Sequence, residues 1–201
     1  MELPRLLIAT NNKGKLEELQ ALLADLPLQL IGPSDIHLDL HVVEDGKSYA
    51  ENASKKALAF SRGSGLIALA DDSGLEVEAL GNAPGLYSAR YLQTAGASDA
   101  DRRAYLLKNL HGAPRPWTAR FRSTVAVATP RQDVQLAEGE CRGEIIPEER
   151  GTGGFGYDPI FLLPEIGRTM GELGMEEKNC LSHRAQAILE VKPILKKIFD
   201  L

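Results

Sequence analysis

The sequence predicts an α/β fold, a curved mixed β-sheet flanked by helices, and three observations predict it. Short apolar runs closed by polar residues, Leu6-Leu7-Ile8-Ala9 and Leu66-Ile67-Ala68-Leu69-Ala70, read as strands buried on both faces. Between such runs lie leucines and alanines at three- and four-residue spacing, the pattern of amphipathic helices. The order reads β-α-β-α-β-β-loop-α-β-β-β-loop-β-α, which brings parallel crossovers and antiparallel neighbours into one sheet. At 201 residues, 43% hydrophobic and 25% charged, the chain can bury a full core as one domain or as two lobes sharing a sheet.

The first strand runs at once into Thr10-Asn11-Asn12-Lys13-Gly14-Lys15, then into Leu16, Leu19, Leu22, Leu23 and Leu26 at helical spacing. Asn11 or Asn12 can cap this helix, and its first-turn N–H groups with Lys13 and Lys15 make a compact anion site. Two lysines in a first turn oppose the helix dipole unless an anion is bound, which favours a polyphosphate over a capped helix with solvated lysines. The GxxxxGK[ST] spacing of a P-loop is absent. Leu28 to Ile31 reads as a second strand. Ser48 and Glu51 form a capping box for a helix whose apolar stripe is Tyr49, Ala53, Ala57 and Phe60. Glu44 and Asp45 precede it as loop charges, and Glu44 gains interest as a third carboxylate for the acidic pair that follows.

The apolar run ending at Ala70 stops at Asp71-Asp72-Ser73-Gly74, read as a turn at a strand's carboxyl end, where open α/β sheets bind ligands. Neighbouring carboxylates repel and resist desolvation, so a cation or a shared proton would hold them there; the alternative is Asp as a turn former. Leu75 to Leu80 alternates as a half-exposed strand, and Leu86 to Tyr91 carries two tyrosines and an arginine out of a turn-rich loop. Ser98 and Asp101 cap a helix over 98–110. Ala119 to Ala128 passes from alternation to a wholly apolar run, and 134–141 and 142–146 extend the sheet with Gly139 and Gly143 as possible bulges.

Gly151, Gly153 and Gly156 fit a G-x-G-x-x-G spacing, but they precede a strand and Pro159 instead of opening a helix, so the dinucleotide fingerprint is excluded. What remains is a loop whose backbone can approach a ligand closely, with Phe155 placed to stack on a flat ring; a flexible hairpin tip is the alternative. Met170 to Glu177 reads as a short helix. Lys178, His183 and Arg184 surround the start of a C-terminal helix capped by Ser182, which Pro193 should kink or restart. The net charge of -5 argues against a grip on polymeric nucleic acid. Cys141 and Cys180 form no CxxC, so neither zinc nor a disulfide framework is suggested. Met1-Glu2-Leu3-Pro4-Arg5 lacks a basic leader and no apolar run is long enough to span a bilayer, so a cytoplasmic protein is expected.

Together these strings resemble the inosine triphosphate pyrophosphatase family over nearly the whole chain. The likeness rests on Thr10-Asn11-Asn12-x-Gly14-Lys15, Glu51-Asn52-Ala53, Ala70-Asp71-Asp72-Ser73-Gly74, Pro84 to Tyr91, Gly151 to Pro159 and Ser182-His183-Arg184. The resemblance implies one domain over residues 1–201, built as two lobes with a central nucleotide-binding cleft. It implies Mg²⁺-dependent hydrolysis of noncanonical purine nucleoside triphosphates (ITP, dITP, XTP) to monophosphate and pyrophosphate by a homodimer that cleanses the nucleotide pool. Thr10, Asn11, Asn12, Lys13, Gly14 and Lys15 would hold the triphosphate. Asp72 would be the proton acceptor and a metal ligand, Glu44 a further metal ligand. Ser73, Phe155, Gly156, Tyr157, Asp158, Lys178, His183 and Arg184 would contact nucleotide. A carboxylate on Mg²⁺ is a weakened base, so Asp71 or another acid could share the role of Asp72. Two rival readings remain, a pyrophosphatase for other modified nucleotides and a nucleotide-sensing module without turnover, for which the carboxylates would be dispensable.

Overall fold

Each short apolar run becomes a strand because its alternate side chains find a helix on either face. In the computed structural model, which describes residues 2–201, the elements are β1 (Arg5–Ile8), α1 (Lys13–Leu23), β2 (Gln29–Ile31), α2 (Tyr49–Ser64), β3 (Ile67–Val77) and β4 (Ala83–Pro84). There follow α3 (Asp99–Asn109), β5 (Trp117–Ala128), β6 (Val134–Ile145), β7 (Phe161–Leu163), β8 (Arg168–Thr169), α4 (Met175–Leu181) and α5 (His183–Phe199). Met1, the first residue of the stretch read above for a basic leader, lies outside the described residues. The strands form one sheet in the order β2-β1-β3-β5-β6-β7-β8, with β4 paired to β3. It is mixed: β1 is parallel to β2 and β3, while β4, β7 and β8 pair antiparallel with their neighbours. The expected α/β class holds.

The chain divides into two compact units. The first holds the residues up to Asp72, Ser123–Gly139 and His183–Leu201. Here the two-residue period of the strands is visible in the core. Leu6, Ile8, Leu69, Val125 and Val127 meet Leu19 and Leu23 of α1 and Ile188, Val191 and Leu195 of α5. Leu7, Ala9, Ala68, Ala70, Ala126 and Ala128 meet Ala53, Ala57 and Phe60 of α2. The second face is alanine-rich on both partners, so α2 can lie close to the sheet. The second unit, Ser73–Arg122 and Glu140–Ser182, has its own core of Leu75, Val77, Leu106, Leu110, Trp117, Phe121, Ile145 and Phe161. The rings of Phe121 and Phe161 pack with centroids 4.5 Å apart.

Several local expectations are corrected. Asp71-Asp72-Ser73-Gly74 is not a turn: β3 runs through it to the buried Val77, and a single 3₁₀ turn over Glu78–Leu80 replaces the second strand expected there. Gly85–Arg90 is also 3₁₀. β6 is one strand without a break, and its glycines mark close approaches. A Cβ on Gly139 would strike the backbone of His183 and Ala187, and one on Gly143 the Leu162 carbonyl and the Phe161 ring. The helix expected over 170–177 is a 3₁₀ turn at Met170–Glu172, and α4 begins only at Met175, so Lys178 is helical; Ser182 stands between α4 and α5, directly before His183, as expected of a residue at the start of the C-terminal helix. α5 continues past Pro193, because that residue is exposed while Val191 and Leu195 on either side stay anchored in the core.

Candidate active site

Because β3 does not turn, its alternation sends the two neighbouring aspartates to opposite faces. Asp71 follows Leu69 toward α1 and α5, and Asp72 follows Ala68 and Ala70 toward α2. Their hydrogen-bond donors differ, Arg184 for Asp71 and Asn52 for Asp72, although both feel the charge of Lys15, and on opposite faces the two carboxyls do not share a proton.

Asp71 is 0% and Arg184 1% exposed. Asp71 Oδ2 accepts from Arg184 Nε at 3.2 Å and Nη2 at 3.0 Å, and Lys15 Nζ lies 3.3 Å from it. Arg184 Nη1 donates to the buried Glu18. Two acids and two bases thus neutralise one another out of water, the condition under which buried charges are tolerated. Burial opposes ionisation of Asp71, but Lys15 and Arg184 more than offset it and hold the carboxyl well below the usual range. Burial also pushes the Lys15 ammonium below its ordinary value, with Asp71 pulling the other way. Asp71 Oδ1 is buried and has no hydrogen-bond partner among the described residues.

Asp72, 7% exposed, behaves in the opposite sense. Burial raises its pKa, Lys15, a hydrogen bond from Asn52 and Lys56 oppose the rise, and the nearby Glu44 carboxylate adds to it. Asn52 Nδ2 donates to Asp72 Oδ2 at 2.9 Å, and Lys56, one turn further along α2, pairs with Glu44. At the start of α1 the cap is Asn12, whose side chain accepts from Lys15 N at 3.0 Å, while Thr10 Oγ1 accepts from Asn12 N at 3.2 Å. Asn11, Asn12 and Lys13 are exposed and Gly14 half-buried. Thr10 to Lys15, Glu44, Asp72, His183 and Arg184 therefore belong to the first unit, and of these Lys15, Glu44 and Asp72 share one electrostatic neighbourhood.

The second unit holds Ser73 and the glycine-rich loop. Gly151, Gly154 and Gly156 have φ of 79°, 70° and 63°, a backbone that side chains rarely adopt and that wraps the loop around Asp158. Asp158 Oδ2 accepts from Phe155 N at 2.8 Å and from Lys178 Nζ at 2.6 Å, and Lys178 Nζ lies 5.0 Å from the centre of the Phe155 ring. Tyr157 is buried and its hydroxyl donates to the Ser88 carbonyl, so it anchors the loop in the core. Sequence reasoning missed the other anchor, α3. Gly156 N donates to Asp99 Oδ2 and Gly156 O accepts from Arg103 Nη1, both at 2.8 Å, while Arg103 also forks onto Glu149. It missed Glu18 and Lys56 too. The faint signals were a lone Glu inside a leucine stripe and the four-residue spacing of Asp99 with Arg103 and of Asn52 with Lys56.

A model of the Ham1 family matches residues 6–194. The chain belongs to the Ham1 family. It is 47% identical, over 97% of both chains, to a protein of Desulforamulus reducens named dITP/XTP pyrophosphatase, and 48% identical, over 94% of both, to one of the same name from Geobacter sulfurreducens. Among solved structures it is similar to a HAM1 protein from Coxiella burnetii, with a TM-score of 0.87, 37% identity and coverage of 97% of this chain and 100% of that one. The Ham1 protein of Staphylococcus aureus superposes with a TM-score of 0.84 at 36% identity, covering 96% and 99%.

In this Ham1 chain Asp72 lies within the electrostatic reach of a second carboxylate, Glu44, and carboxylate oxygens are the ligands that suit a hard divalent cation. Asp72 is desolvated with its pKa raised beside a second carboxylate, a pairing that added positive charge would relieve. No group of three His, Cys, Asp or Glu side chains converges as a metal site among the described residues. Two carboxylates are the kind of partial ligand set that Mg²⁺ accepts, since it keeps several waters and takes further oxygens from phosphates, and here Glu44 is paired with Lys56. No helix among the described residues is long and apolar enough to cross a membrane.

Proposed function

We propose that this Ham1 chain hydrolyses dITP, XTP and ITP between the α- and β-phosphates, releasing monophosphate and pyrophosphate, with Mg²⁺ and as a cytoplasmic homodimer. Relatives nearly half identical over almost their whole length bear the name dITP/XTP pyrophosphatase. The observation that carries the reading is Asp72: a desolvated carboxylate with a raised pKa, set beside Lys15, Lys56 and Glu44.

Lys13, Lys15 and the first-turn N–H groups of α1 bind the phosphate tail, and the helix dipole favours its negative charge. Asp72 orients a water toward the α-phosphorus and takes its proton as the P–O bond to the leaving pyrophosphate breaks. Burial makes Asp72 a stronger base than a solvated carboxylate, an advantage that a bound Mg²⁺ would reduce, whereas Asp71, held ionised by Lys15 and Arg184, is a poor one. Glu44 and Asp72 are the residues that would hold Mg²⁺, which would supply positive charge to neutralise phosphate oxygens. Arg184 is buried with its donors on Asp71 and Glu18, so it acts on the substrate through Lys15. Within the second unit, Phe155 on its glycine-rich loop is an aromatic face of the kind that stacks on a flat base. A donor meeting the 6-oxo group of hypoxanthine or xanthine rejects adenine, whose 6-amino group would leave that donor unsatisfied.

The test incubates wild type and Asp72→Asn with dITP, XTP, ITP, ATP and GTP in Mg²⁺. Pyrophosphate should appear with the first three, and loss of the base should slow it by about 10²–10⁴-fold. Orthophosphate as product, equal turnover of ATP, or an active Asp72→Asn enzyme would refute the reading, and binding without turnover would favour the sensing module.

A further inference from the structure

The Glu51-Asn52-Ala53 string has no role in the chemistry above, yet Asn52 is 1% exposed and both ends of its amide are engaged. Its Nδ2 donates to Asp72 Oδ2 at 2.9 Å, and its Oδ1 accepts from the backbone N of Gly46 at 2.8 Å. The amide orientation is fixed by chemistry: a backbone N–H can only donate, so the atom facing it is the carbonyl oxygen, and the amino group is left for the carboxylate. Gly46 lies two residues after Glu44. A single buried side chain therefore ties the loop that carries one acidic ligand to the strand that carries the other.

The loop meets α2 at three points along that helix. Lys47 N donates to Glu51 Oε2 at 2.7 Å, Gly46 N to Asn52, and Lys56 pairs with Glu44 itself. Ser48 caps the helix by accepting from Glu51 N at 3.1 Å, so the Glu51 half of the capping box has been diverted one residue outward to the loop. Gly46 permits the approach: a Cβ there would lie 2.6 Å from Asn52 Oδ1 and 2.8 Å from Glu51 Cβ. Resting on the function proposed above, we propose that Asn52 is a positioning residue that sets the separation of Glu44 and Asp72, with Gly46 as its required partner, so that the pair is pre-organised for Mg²⁺.

Two variants cut the two arms of the bridge. Asn52→Ala removes both hydrogen bonds; Gly46→Ala forces the loop away while leaving the Asn52 to Asp72 bond in place. In ligand-free protein, Asn52→Ala should speed hydrogen exchange of the Gly46 amide about tenfold or more without changing the amides of the sheet core. In dITP hydrolysis, each variant should raise the Mg²⁺ concentration for half-maximal rate about tenfold, with half-saturating dITP at excess Mg²⁺ changed less than about twofold, and the double variant should be no worse than Asn52→Ala alone. Unchanged exchange at Gly46, a wild-type Mg²⁺ requirement in either variant, or additive effects would overturn the proposal. If Asn52→Ala does not fold, Gly46→Ala decides by its Mg²⁺ requirement. If the wild type does not release pyrophosphate, the proposed function fails and the exchange measurement still judges the bridge.

Discussion

Arg184 shows how much one side chain can hold when it is fully out of water. Its guanidinium faces Asp71 with two nitrogens and Glu18 with a third, and Glu18 lies 166 residues away in sequence. Shortening Arg184 would remove the guanidinium that pairs with both buried carboxylates. Arg184→Met should therefore lower the unfolding free energy in urea by about 3–5 kcal/mol, the usual cost of breaking a buried ion pair from one side. Neutralising the acids as well, in Arg184→Met with Glu18→Gln and Asp71→Asn, should restore much of that stability, and a triple variant no more stable than the single would contradict the charge argument. From sequence, Arg184 reads as a cation at a helix start whose dipole opposes it, which an anionic ligand or a solvated turn would accommodate. The resolving anions are internal, and no local pattern places a glutamate in α1 beside the start of α5.

At the scale of elements, caps and stripes were readable because they are local. Asn12, Ser48 and Ser98 cap the helices expected of them, and the apolar faces of α1 and α2 are the ones that pack. The course of β3 was not readable, since Asp and Gly favour turns and only cross-strand pairing and the partners of Asp71 and Asp72 keep the chain extended there. Nor was the clamp made by α3, whose polar face looks like an ordinary solvated one. Asp99 and Arg103 stand one turn apart and take the N–H and the carbonyl of Gly156, so the loop that presents Phe155 is fixed at a positive-φ residue. Arg103→Met would release the carbonyl and the Glu149 fork together. It should raise half-saturating dITP about tenfold while kcat stays within a few-fold, because pre-organisation of a binding loop is what is lost. An unchanged KM, or a loss confined to kcat, would show that α3 merely packs.

Across the whole molecule, the chain order and the assignment to units do not coincide. Each unit is assembled from separate stretches, and the first closes only when the last residues, His183–Leu201, arrive. The sheet's composition was legible in the apolar runs, whereas this division depends on pairings between distant strands and leaves no mark in composition. It has a consequence for folding. Ile188, Val191 and Leu195 are 1%, 0% and 0% exposed and cover Leu6, Ile8, Leu69, Val125 and Val127. At about 1.5–3 kcal/mol for each buried side chain, their removal forfeits roughly 5–9 kcal/mol, comparable with the whole stability of a typical domain. The loss of Arg184 from Asp71 and Glu18 adds to this. A chain ending at Ser182 should lack a cooperative thermal transition by circular dichroism and should be digested by protease under conditions that leave the full chain intact. A truncated protein melting within a few degrees of the full chain would mean that the core face formed by β1, β3 and β5 does not depend on α5.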